Sequence, residues 1–270
     1  MTLKLVVRSL LVVLALYGGL CAVVFAVQRK LQYFPDRSSE AGALRRAAAS
    51  GLVPWRTTEG ALLGWRRPGP SKASARLLVF HGNAGNALDR VYYVRLFESL
   101  GADVVLMEYP GYGARPGEPT EATLVAAGRE AATALAREGP LYLVGESLGS
   151  GVALQVAGSA PAQVQGVLLV TPYARMSEVG AEAYPWLPVR WLLKDRWDNL
   201  AALPTYPGPV VILLAGRDEV VGAAQGRRLA EAARGPIKVW EQPEAGHNTL
   251  SLAPRGGHWE EAWTFLRPGS

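Results

Sequence analysis

The sequence predicts an α/β fold with a mostly parallel β-sheet, helices on both of its faces and a membrane-spanning helix in front of it. Two observations indicate this architecture. From about residue 51 onward, short β-rich apolar runs alternate with longer Ala-rich amphipathic stretches, which is the pattern of βαβ units. An uncharged apolar run also lies near the N-terminus. The length of 270 residues allows one large domain or two small ones.

Composition and charge exclude several classes of protein. Apolar residues make up 49% of the chain and charged residues 19%, whereas intrinsic disorder requires few apolar residues and a high net charge. The single cysteine excludes a disulfide framework, and with three isolated histidines it offers no ligand cluster for a metal ion. Most of the net charge of +5 comes from Lys4, Arg8, Arg29 and Lys30. Because the rest of the chain is nearly neutral, we expect no nucleic-acid partner.

The N-terminal apolar run extends from Leu10 to Val27 without a charged residue. As a helix it is about 27 Å long, at about 1.5 Å per residue, which nearly crosses the hydrocarbon core of a bilayer. Arg8 and Arg29 flank the run, and their long side chains can reach the two interfaces. The run is therefore long enough to act as a membrane anchor.

Residues 1–30 are expected to form this single-pass anchor, and residues 31–270 to form a folded domain. Two alternatives stay open, namely a cleaved signal peptide with a weak processing site at 24–26 and a buried core helix. Positive charges on both sides of the apolar run leave the orientation of the anchor undetermined, because the positive-inside rule favours neither side.

The folded domain is expected to begin with a β-hairpin over Val53–Arg66. After the hairpin, the alternating pattern predicts strands at Leu77–Phe80, Asp103–Glu108, Leu141–Val144, Val167–Thr171, Val210–Ala215 and Ile237–Glu241. Helices are predicted at Ala87–Leu100, Thr120–Arg137, Leu148–Ser159, Ala223–Arg234 and near His258–Leu266. Thr120 is the predicted N-cap of the second of these helices.

One stretch, from Tyr173 to Pro209, interrupts this alternation. It is longer than an ordinary crossover, and its aromatic residues include Tyr184, Trp186, Trp191 and Trp197. A cap-like insertion of this kind either covers a ligand pocket with apolar surface or only packs its aromatic side chains onto the sheet. The sequence leaves both alternatives open.

The segment Gly145–Gly149, with the sequence GESLG, follows a predicted strand and precedes a predicted helix of small residues. This pattern is typical of a nucleophile elbow, a strained strand-to-helix turn that exposes its central serine above the sheet. The two glycines give the turn room where a Cβ atom would collide. Ser147 is therefore the candidate nucleophile, and an idle serine in a Gly-rich turn is the alternative.

A serine hydroxyl is a weak nucleophile and needs a base, which in turn needs an orienting acid. His247 is the candidate base because it follows the last strand, whereas His81 comes too early in the chain and His258 begins a helix. Asp218 is the candidate acid, since it follows a strand and lies between the serine and the base in sequence. The rivals of Asp218 are Glu219, Asp195 and Asp198.

Acyl transfer develops negative charge on a carbonyl oxygen, which fixed backbone N–H donors stabilise by about 2.7–4 kcal/mol each. The candidate donors of this oxyanion hole are the N–H groups of Asn83 and Leu148. Leu148 follows the candidate nucleophile, and Asn83 lies in the loop after the first parallel strand, where Ala84 is the adjacent choice. The alternative is a glycine loop that only turns the chain.

These motifs resemble those of the α/β-hydrolase superfamily and, within it, the membrane-anchored serine hydrolases of the BEM46 type, which are related to the α/β-hydrolase domain-containing 13 and 17 groups. The matching stretches are Gln28–Asp36 (QRKLQYFPD), His81–Asn86 (HGNAGN), Tyr109–Gly113 (YPGYG), Gly145–Gly149 (GESLG), Gly216–Val221 (GRDEVV) and Gly246–Asn248 (GHN). The resemblance implies an eight-stranded sheet and a catalytic triad of Ser147, Asp218 and His247. Two positions depart from the family pattern, Ser150 where a second glycine is frequent and Gly222 where a proline is frequent.

We therefore expect a membrane-anchored serine hydrolase that cleaves ester or thioester bonds through an acyl-enzyme intermediate and needs no cofactor. The anchor and the aromatic insertion favour a lipid-like or acylated substrate. Two alternatives stay open. One is a serine peptidase or amidase, since the same triad serves both reactions, and the other is a non-catalytic binding module on the same fold.

Overall fold

The protein is described by a computed structural model over residues 3–69, 73–160, 162–254 and 256–267. Its strands are β1 (Phe34–Pro35), β2 (Val53–Arg56), β3 (Leu62–Arg66), β4 (Ala75–Phe80), β5 (Ala84–Gly85), β6 (Ala102–Met107), β7 (Leu141–Glu146), β8 (Val164–Val170), β9 (Val210–Ala215) and β10 (Ile237–Gln242). Its α-helices are α1 (Leu3–Gln32), α2 (Glu40–Ala49), α3 (Val91–Glu98), α4 (Glu121–Ala136), α5 (Leu148–Ser159), α6 (Met176–Ala183), α7 (Val189–Leu192), α8 (Asn199–Ala202), α9 (Ala223–Glu231) and α10 (Trp259–Leu266). Two short 3₁₀ helices cover Ala87–Arg90 and Leu203–Thr205.

Eight of the strands form one sheet in the order β10-β9-β8-β7-β4-β6-β3-β2. All neighbours from β10 to β6 are parallel, whereas β3 pairs with β6, and β2 with β3, in the antiparallel sense. The predicted mostly parallel sheet, its eight strands and the leading hairpin are therefore confirmed. Because the central strands are parallel, their carboxyl ends meet at one edge of the sheet.

The sheet is buried on both faces by two hydrophobic layers. Alternate side chains of β4 enter opposite layers, with Leu78 and Phe80 on the side of α4 and α5, and Leu77 and Val79 on the side of α3 and α10. This two-sided burial explains why the central strands read as continuous apolar runs. Helices cover both faces, as predicted.

The differences from the predicted elements are local. The helix expected from Ala87 begins as a 3₁₀ turn, and α9 ends at Glu231 rather than Arg234. The sequence pattern missed α2, which Ser39 caps and which buries only the small side chains of Ala43 and Ala47. A helix that buries two alanines has almost no apolar periodicity to detect.

Helix α1 is longer than the apolar run within it, since it continues without interruption to Gln32. It is long and apolar enough to cross a membrane, and none of its most apolar window is buried. This exposure argues against the core-helix alternative. By length and composition, α1 is either a membrane anchor or a signal sequence.

The predicted insertion lies between β8 and β9 and contains α6, α7 and α8. It does not pack only onto the sheet. The last turns of α1 pack against it, so that two segments about 160 residues apart in sequence meet above the carboxyl edge of the sheet.

Candidate active site

Ser147 lies in the turn between β7 and α5, with a backbone φ of +50°. This is a conformation that residues other than glycine rarely adopt. The flanking glycines explain how the turn is built, because a Cβ atom at Gly145 would lie 2.6 Å from the carbonyl oxygen of Gly149, and one at Gly149 would collide with that of Phe80. The Ser147 N–H donates to Val170 of β8 at 2.9 Å, which fixes the turn to the sheet.

The structure brings Ser147, His247 and Asp218 together at the carboxyl edge of the sheet. His247 Nε2 lies 3.1 Å from Ser147 Oγ, and His247 Nδ1 lies 2.7 Å from Asp218 Oδ2. The side chains of Asp218 and His247 are 1% and 9% exposed. Because a carboxylate oxygen only accepts, Nδ1 carries the hydrogen and Nε2 is free to accept a proton from the serine.

The loop after β9 holds the carboxylate of Asp218 in this orientation. Asp218 Oδ1 accepts the N–H groups of Val220 and Val221 at 2.9 and 2.7 Å, which leaves Oδ2 for the imidazole. The rival Glu219 reaches a different part of the base, since its carboxylate accepts the backbone N–H of His247 at 3.2 Å. Asp218, rather than Glu219, therefore faces the imidazole ring.

The other candidates lie elsewhere. His258 stacks on Trp240 with 6.1 Å between ring centroids, at the start of α10. Asp195 accepts hydrogen bonds from Arg29 of α1, and Asp198 caps α8. Within the part of the chain that the structure describes, no three His, Cys, Asp or Glu side chains are grouped so that they could hold a metal ion.

The two predicted oxyanion donors border the same cavity as Ser147. Asn83 and Leu148 both line this cavity, and neither backbone N–H donates to an acceptor among the described residues. Two other hydrogen bonds fix the position of Asn83. Its carbonyl oxygen accepts the Tyr112 hydroxyl at 2.7 Å, and its side-chain amide donates to the carbonyl of Gln32 at 3.1 Å. Both N–H groups are thus available for a ligand next to the serine.

The cavity in front of Ser147 has a volume of about 450 Å³ and lies between α1 and the insertion. Its lining is mainly apolar: Val24 and Leu31 come from α1, and Met176, Val179, Leu187 and Leu192 from the insertion. The insertion therefore does cover a pocket, which is the first of the two alternatives that the sequence left open. A mainly apolar cavity of this volume is within the usual range of pockets for small molecules.

A group of polar side chains at the end of α1 holds the two walls of this cavity together. Gln28 donates to the Leu192 carbonyl at 2.9 Å and accepts the Lys194 N–H at 2.7 Å. Arg29 donates to the buried carboxylate of Asp195 at 2.9 and 3.2 Å. The sequence predicts that Arg29 reaches the membrane interface, but it does not predict these contacts with the insertion. The available signal was the spacing of polar Gln28, Arg29 and Gln32, which places them near one face of a helix.

Ser150, which occupies the position where a second glycine is frequent, connects the elbow to the insertion. Its hydroxyl donates to the carbonyl oxygen of Ser147 at 2.7 Å and accepts the side-chain amide of Asn199 at 3.0 Å. A glycine at this position could make neither bond. In this chain, the serine that replaces the frequent glycine ties α8 to the first turn of α5.

A second, polar pocket of about 270 Å³ lies on the other side of His247. Its floor is a network in which Arg90 and the Tyr92 hydroxyl both donate to the carboxylate of Glu146, the residue before the elbow serine, at 2.7 and 2.8 Å. Burial alone would raise the pKa of Glu146, but the Arg90 guanidinium outweighs it and lowers that pKa. The site therefore has an apolar side and a charged side.

His81 and Glu108 form a buried pair beneath the loop of Asn83, with 3.9 Å between Nε2 and Oε1. Burial, together with the nearby charge of Arg90, lowers the pKa of His81 to about 3, so the ring is neutral and donates through Nδ1 to the Gly82 carbonyl at 2.8 Å. Burial raises the pKa of Glu108 to about 7, despite the N–H groups that donate to it. His81 is therefore a neutral, buried histidine that is hydrogen-bonded within the loop of Asn83.

Comparisons with known proteins identify the family of this chain. A family model described as the alpha/beta hydrolase fold matches residues 75–205. An uncharacterized protein of Mycobacterium tuberculosis strain H37Rv is 34% identical over 242 residues, which cover 87% of this chain and 85% of that protein. The human alpha/beta hydrolase domain-containing protein 17B is 28% identical over 186 residues, or 67% of this chain and 62% of that protein. The fold, the elbow and these relatives together define the class, and the chain belongs to the α/β-hydrolase family.

Solved structures support the same assignment at the level of the fold. A Pyrococcus furiosus esterase aligns with a TM-score of 0.63 at 14% identity, over 87% of this chain and 97% of that chain. A structure from a study of two metagenome-derived lipolytic enzymes aligns with a TM-score of 0.60 at 19% identity, over 73% of this chain and 95% of that chain. Membership of the α/β-hydrolase family supports a hydrolase activity for this chain.

Proposed function

We propose that the protein is a membrane-anchored serine hydrolase that cleaves ester or thioester bonds of lipid-like acyl substrates. The observation that carries this proposal is the hydrogen-bonded series Ser147, His247 and Asp218, with 3.1 and 2.7 Å between the paired atoms, beside an apolar cavity that Ser147 lines. A nucleophile, a base and an orienting acid in this order are what acyl transfer requires.

In the proposed first half-reaction, Ser147 Oγ attacks the acyl carbonyl carbon while its proton passes to His247 Nε2. Asp218 keeps the imidazole in the tautomer that accepts this proton, and stabilises the imidazolium that forms. The carbonyl oxygen becomes an oxyanion between the N–H groups of Asn83 and Leu148. When the tetrahedral intermediate collapses, His247 gives the proton to the leaving alcohol or thiol, and the acyl group remains on Ser147.

In the second half-reaction, a water molecule replaces the leaving group. His247 takes a proton from this water, the hydroxide attacks the acyl carbonyl, and the released serine oxygen recovers the proton. The products are a free carboxylic acid and the original enzyme. No step calls for a cofactor, because the side chains supply both the nucleophile and the proton carrier.

The two pockets support a substrate with an apolar acyl part and a polar leaving group. The cavity between α1 and the insertion would take the acyl chain, and the pocket of Arg90, Tyr92 and Glu146 lies beyond His247, which protonates the leaving group. The proposed anchor over residues 1–30 would hold this site beside a bilayer, where such substrates are concentrated.

Labelling with a fluorophosphonate probe tests the serine mechanism. We expect the wild-type protein in membranes to be labelled and Ser147→Ala to remain unlabelled, because the probe phosphonylates only an activated serine. Ser159→Ala is the matched control, since Ser159 lies on the same helix and its hydroxyl only donates to the Val156 carbonyl at 2.8 Å. Equal labelling of the wild type and Ser147→Ala, or none of the wild type, contradicts the mechanism.

Two further measurements define the substrate and the anchor. A series of acyl esters and thioesters compared with aminoacyl amides separates the proposed activity from that of a peptidase or amidase, which would prefer the amides. Alkaline extraction of membranes retains a protein that is anchored by α1 and releases a form from which the N-terminal segment has been cleaved. Recovery of only the released form contradicts the proposed anchor.

A further inference from the structure

An unusually apolar part of the insertion lies at the surface of the protein. The segment from Tyr184 to Leu193, called the 184–193 segment below, has the sequence YPWLPVRWLL and contains one charged residue, Arg190. Tyr184 is 47% exposed, Trp186 55% and Trp191 86%. Single exposed apolar side chains are normal on soluble proteins, but three large exposed aromatic residues within eight positions are a concentration of apolar surface that calls for a partner.

This segment lies alongside α1 rather than at its end. The Tyr17 hydroxyl donates to the Trp186 carbonyl at 2.8 Å, the Lys194 ammonium lies 4.2 Å from the centroid of the Phe25 ring, and Gln28 donates to the Leu192 carbonyl at 2.9 Å. From Tyr17 to Gln28, α1 rises by about 16 Å. Tyr17 is also close to the middle of the uncharged run, so a bilayer centred on that run surrounds the 184–193 segment as well.

The backbone of the segment is suited to such surroundings, because unpaired N–H groups are costly in hydrocarbon. Two of its ten residues are prolines, which have no N–H to pair. Six other N–H groups donate to backbone carbonyls of the insertion at 2.9–3.2 Å, namely those of Tyr184, Leu187, Val189, Trp191, Leu192 and Leu193. The long side chain of Arg190 can extend toward the headgroups.

The same segment and α1 enclose the route to the active site. Val24 and Leu31 of α1 line one wall of the cavity, Trp186 and Leu187 line the facing wall, and Ser147 borders the same cavity. A chain entering between these walls passes from apolar surroundings directly to the serine. We propose that the 184–193 segment inserts into the leaflet beside α1 as a second membrane contact, and that the acyl chain of a bilayer-resident substrate enters the cavity laterally between the two.

Insertion of the segment rests on the proposed anchor, and lateral entry rests on the proposed hydrolase activity. Tyr and Trp are favoured at the boundary between hydrocarbon and headgroups. Trp191 would lie near this boundary, because the neighbouring Leu192 contacts Gln28 at the end of the uncharged run, whereas Trp186 would lie deeper, beside Tyr17. A lipid surface is therefore the partner whose chemistry the segment matches.

Fluorescence quenching in vesicles tests the insertion without using the enzyme activity. The full-length protein, with Cys21→Ala to remove its single cysteine, receives Trp191→Cys and is labelled with a polarity-sensitive dye in vesicles of phosphatidylcholine and phosphatidylglycerol. We expect doxyl-labelled lipids to quench this dye and aqueous iodide to leave it largely unquenched. Val239→Cys on β10, where the residue is 40% exposed, is the control and should show the reverse. Iodide quenching of both sites overturns the insertion, whatever the enzyme activity is.

A kinetic comparison tests lateral entry. Trp191→Glu places a charge on the inserted surface but not in the cavity, so we expect at least a tenfold loss in the hydrolysis of a long-chain ester embedded in vesicles and no change with a water-soluble short-chain ester. Val239→Glu should change neither activity. Equal rates of Trp191→Glu and wild type on the embedded ester, or equal losses on both esters, overturn lateral entry. Failure of the wild type to hydrolyse either ester contradicts the proposed function and with it lateral entry, while the quenching result still decides the insertion.

Discussion

Two parts of the site are held in place by different kinds of interaction. At the carboxyl edge of the sheet, Ser147 and Asp218 are fixed by backbone geometry within a few residues, through two obligatory glycines and two N–H donors. The apolar wall, formed by α1 and the insertion, is held by side chains such as Gln28 and Arg29 that reach partners more than 160 residues away.

This difference separates the proposed chemistry from the proposed substrate selection. A local turn gives a reacting group one position regardless of the rest of the surface, which suits groups that must stay within hydrogen-bonding distance. A wall built from long-range contacts can change in shape without moving those groups. Substitutions at the edge should therefore affect all substrates alike, and substitutions in the wall should affect them according to acyl length.

The largest expected effect is a loss of kcat and tests the residues at the carboxyl edge of the sheet. Asp218→Asn should lower kcat by about four orders of magnitude, because an amide at this position favours the wrong tautomer of the histidine. The loss should be the same for short and long acyl esters, and steady-state kinetics on both measures it. Glu219→Gln is the control, since a glutamine oxygen can still accept the His247 N–H, and it should stay close to wild type. A larger loss in Glu219→Gln would make Glu219 the orienting acid instead.

The next effect tests the wall. Val179→Phe fills part of the cavity from α6. We expect kcat/KM for a long-chain ester to fall by about 10- to 100-fold, because losing pocket space for one or a few methylene groups commonly lowers kcat/KM by such a factor. Hydrolysis of an acetyl ester should stay the same. Ala181→Phe is the matched control, because Ala181 lies on the same helix but borders a different pocket. Equal losses for both chain lengths in Val179→Phe would contradict the assignment of this cavity to the acyl chain.

The difference between local and long-range contacts also explains which parts of the molecule the sequence predicts. The elbow, the strands and the helix of Leu148–Ser159 are all predictable, because each depends on residues that are neighbours in the chain. The order of the strands and the meeting of α1 with the insertion are not, because they depend on contacts across the whole fold. Asp195 illustrates this limit: sequence order made it a rival acid, whereas it pairs with Arg29.

A third expected effect concerns buried His81 and the dependence of the free energy of unfolding on pH. The pKa of His81 is lowered from its usual 6.5 to about 3, so the unfolded chain binds more protons than the folded one between these values, and stability falls as the pH falls. From pH 6.5 to about pH 4.5, this group should remove about 2 kcal/mol from the free energy of unfolding. His81→Asn should lose less stability over this range, as measured by urea unfolding in detergent micelles.

The control for this effect is His258→Asn, which removes a half-buried histidine that stacks on Trp240 and leaves the contribution of His81 in place. Glu108 also titrates in this range, with its raised pKa of about 7 acting in the opposite sense. Because Glu108 contacts His81, the difference in slope between wild type and His81→Asn reports on the buried pair rather than on His81 alone. Identical slopes in wild type and His81→Asn would mean that the buried imidazole accepts a proton as readily as an exposed one.

The smallest expected effect tests the ion pair of Arg29 and Asp195, called the joint below, which connects α1 to the insertion. Asp195→Asn removes the charge that pairs with Arg29 but keeps an oxygen for one hydrogen bond, so local opening of the insertion should become easier by about 1 kcal/mol. Trypsin sites in the insertion, Arg190, Lys194 and Arg196, are all exposed. If opening and closing are fast relative to cleavage, the rate of limited proteolysis there should rise about fivefold.

Asp198→Asn is the control for the joint. It also removes a carboxylate that pairs with an arginine, but this partner, Arg175, lies within the insertion, the pair is exposed and contributes little, and an asparagine caps α8 equally well. Its proteolysis rate should equal that of the wild type, and labelling of Ser147 by the fluorophosphonate should persist in both variants. Persistent labelling together with faster cleavage in Asp195→Asn would mean that the wall can loosen while the edge keeps its geometry. Loss of labelling in Asp195→Asn would mean instead that the wall also holds the reacting groups in place, and the two parts of the site would then not be separable.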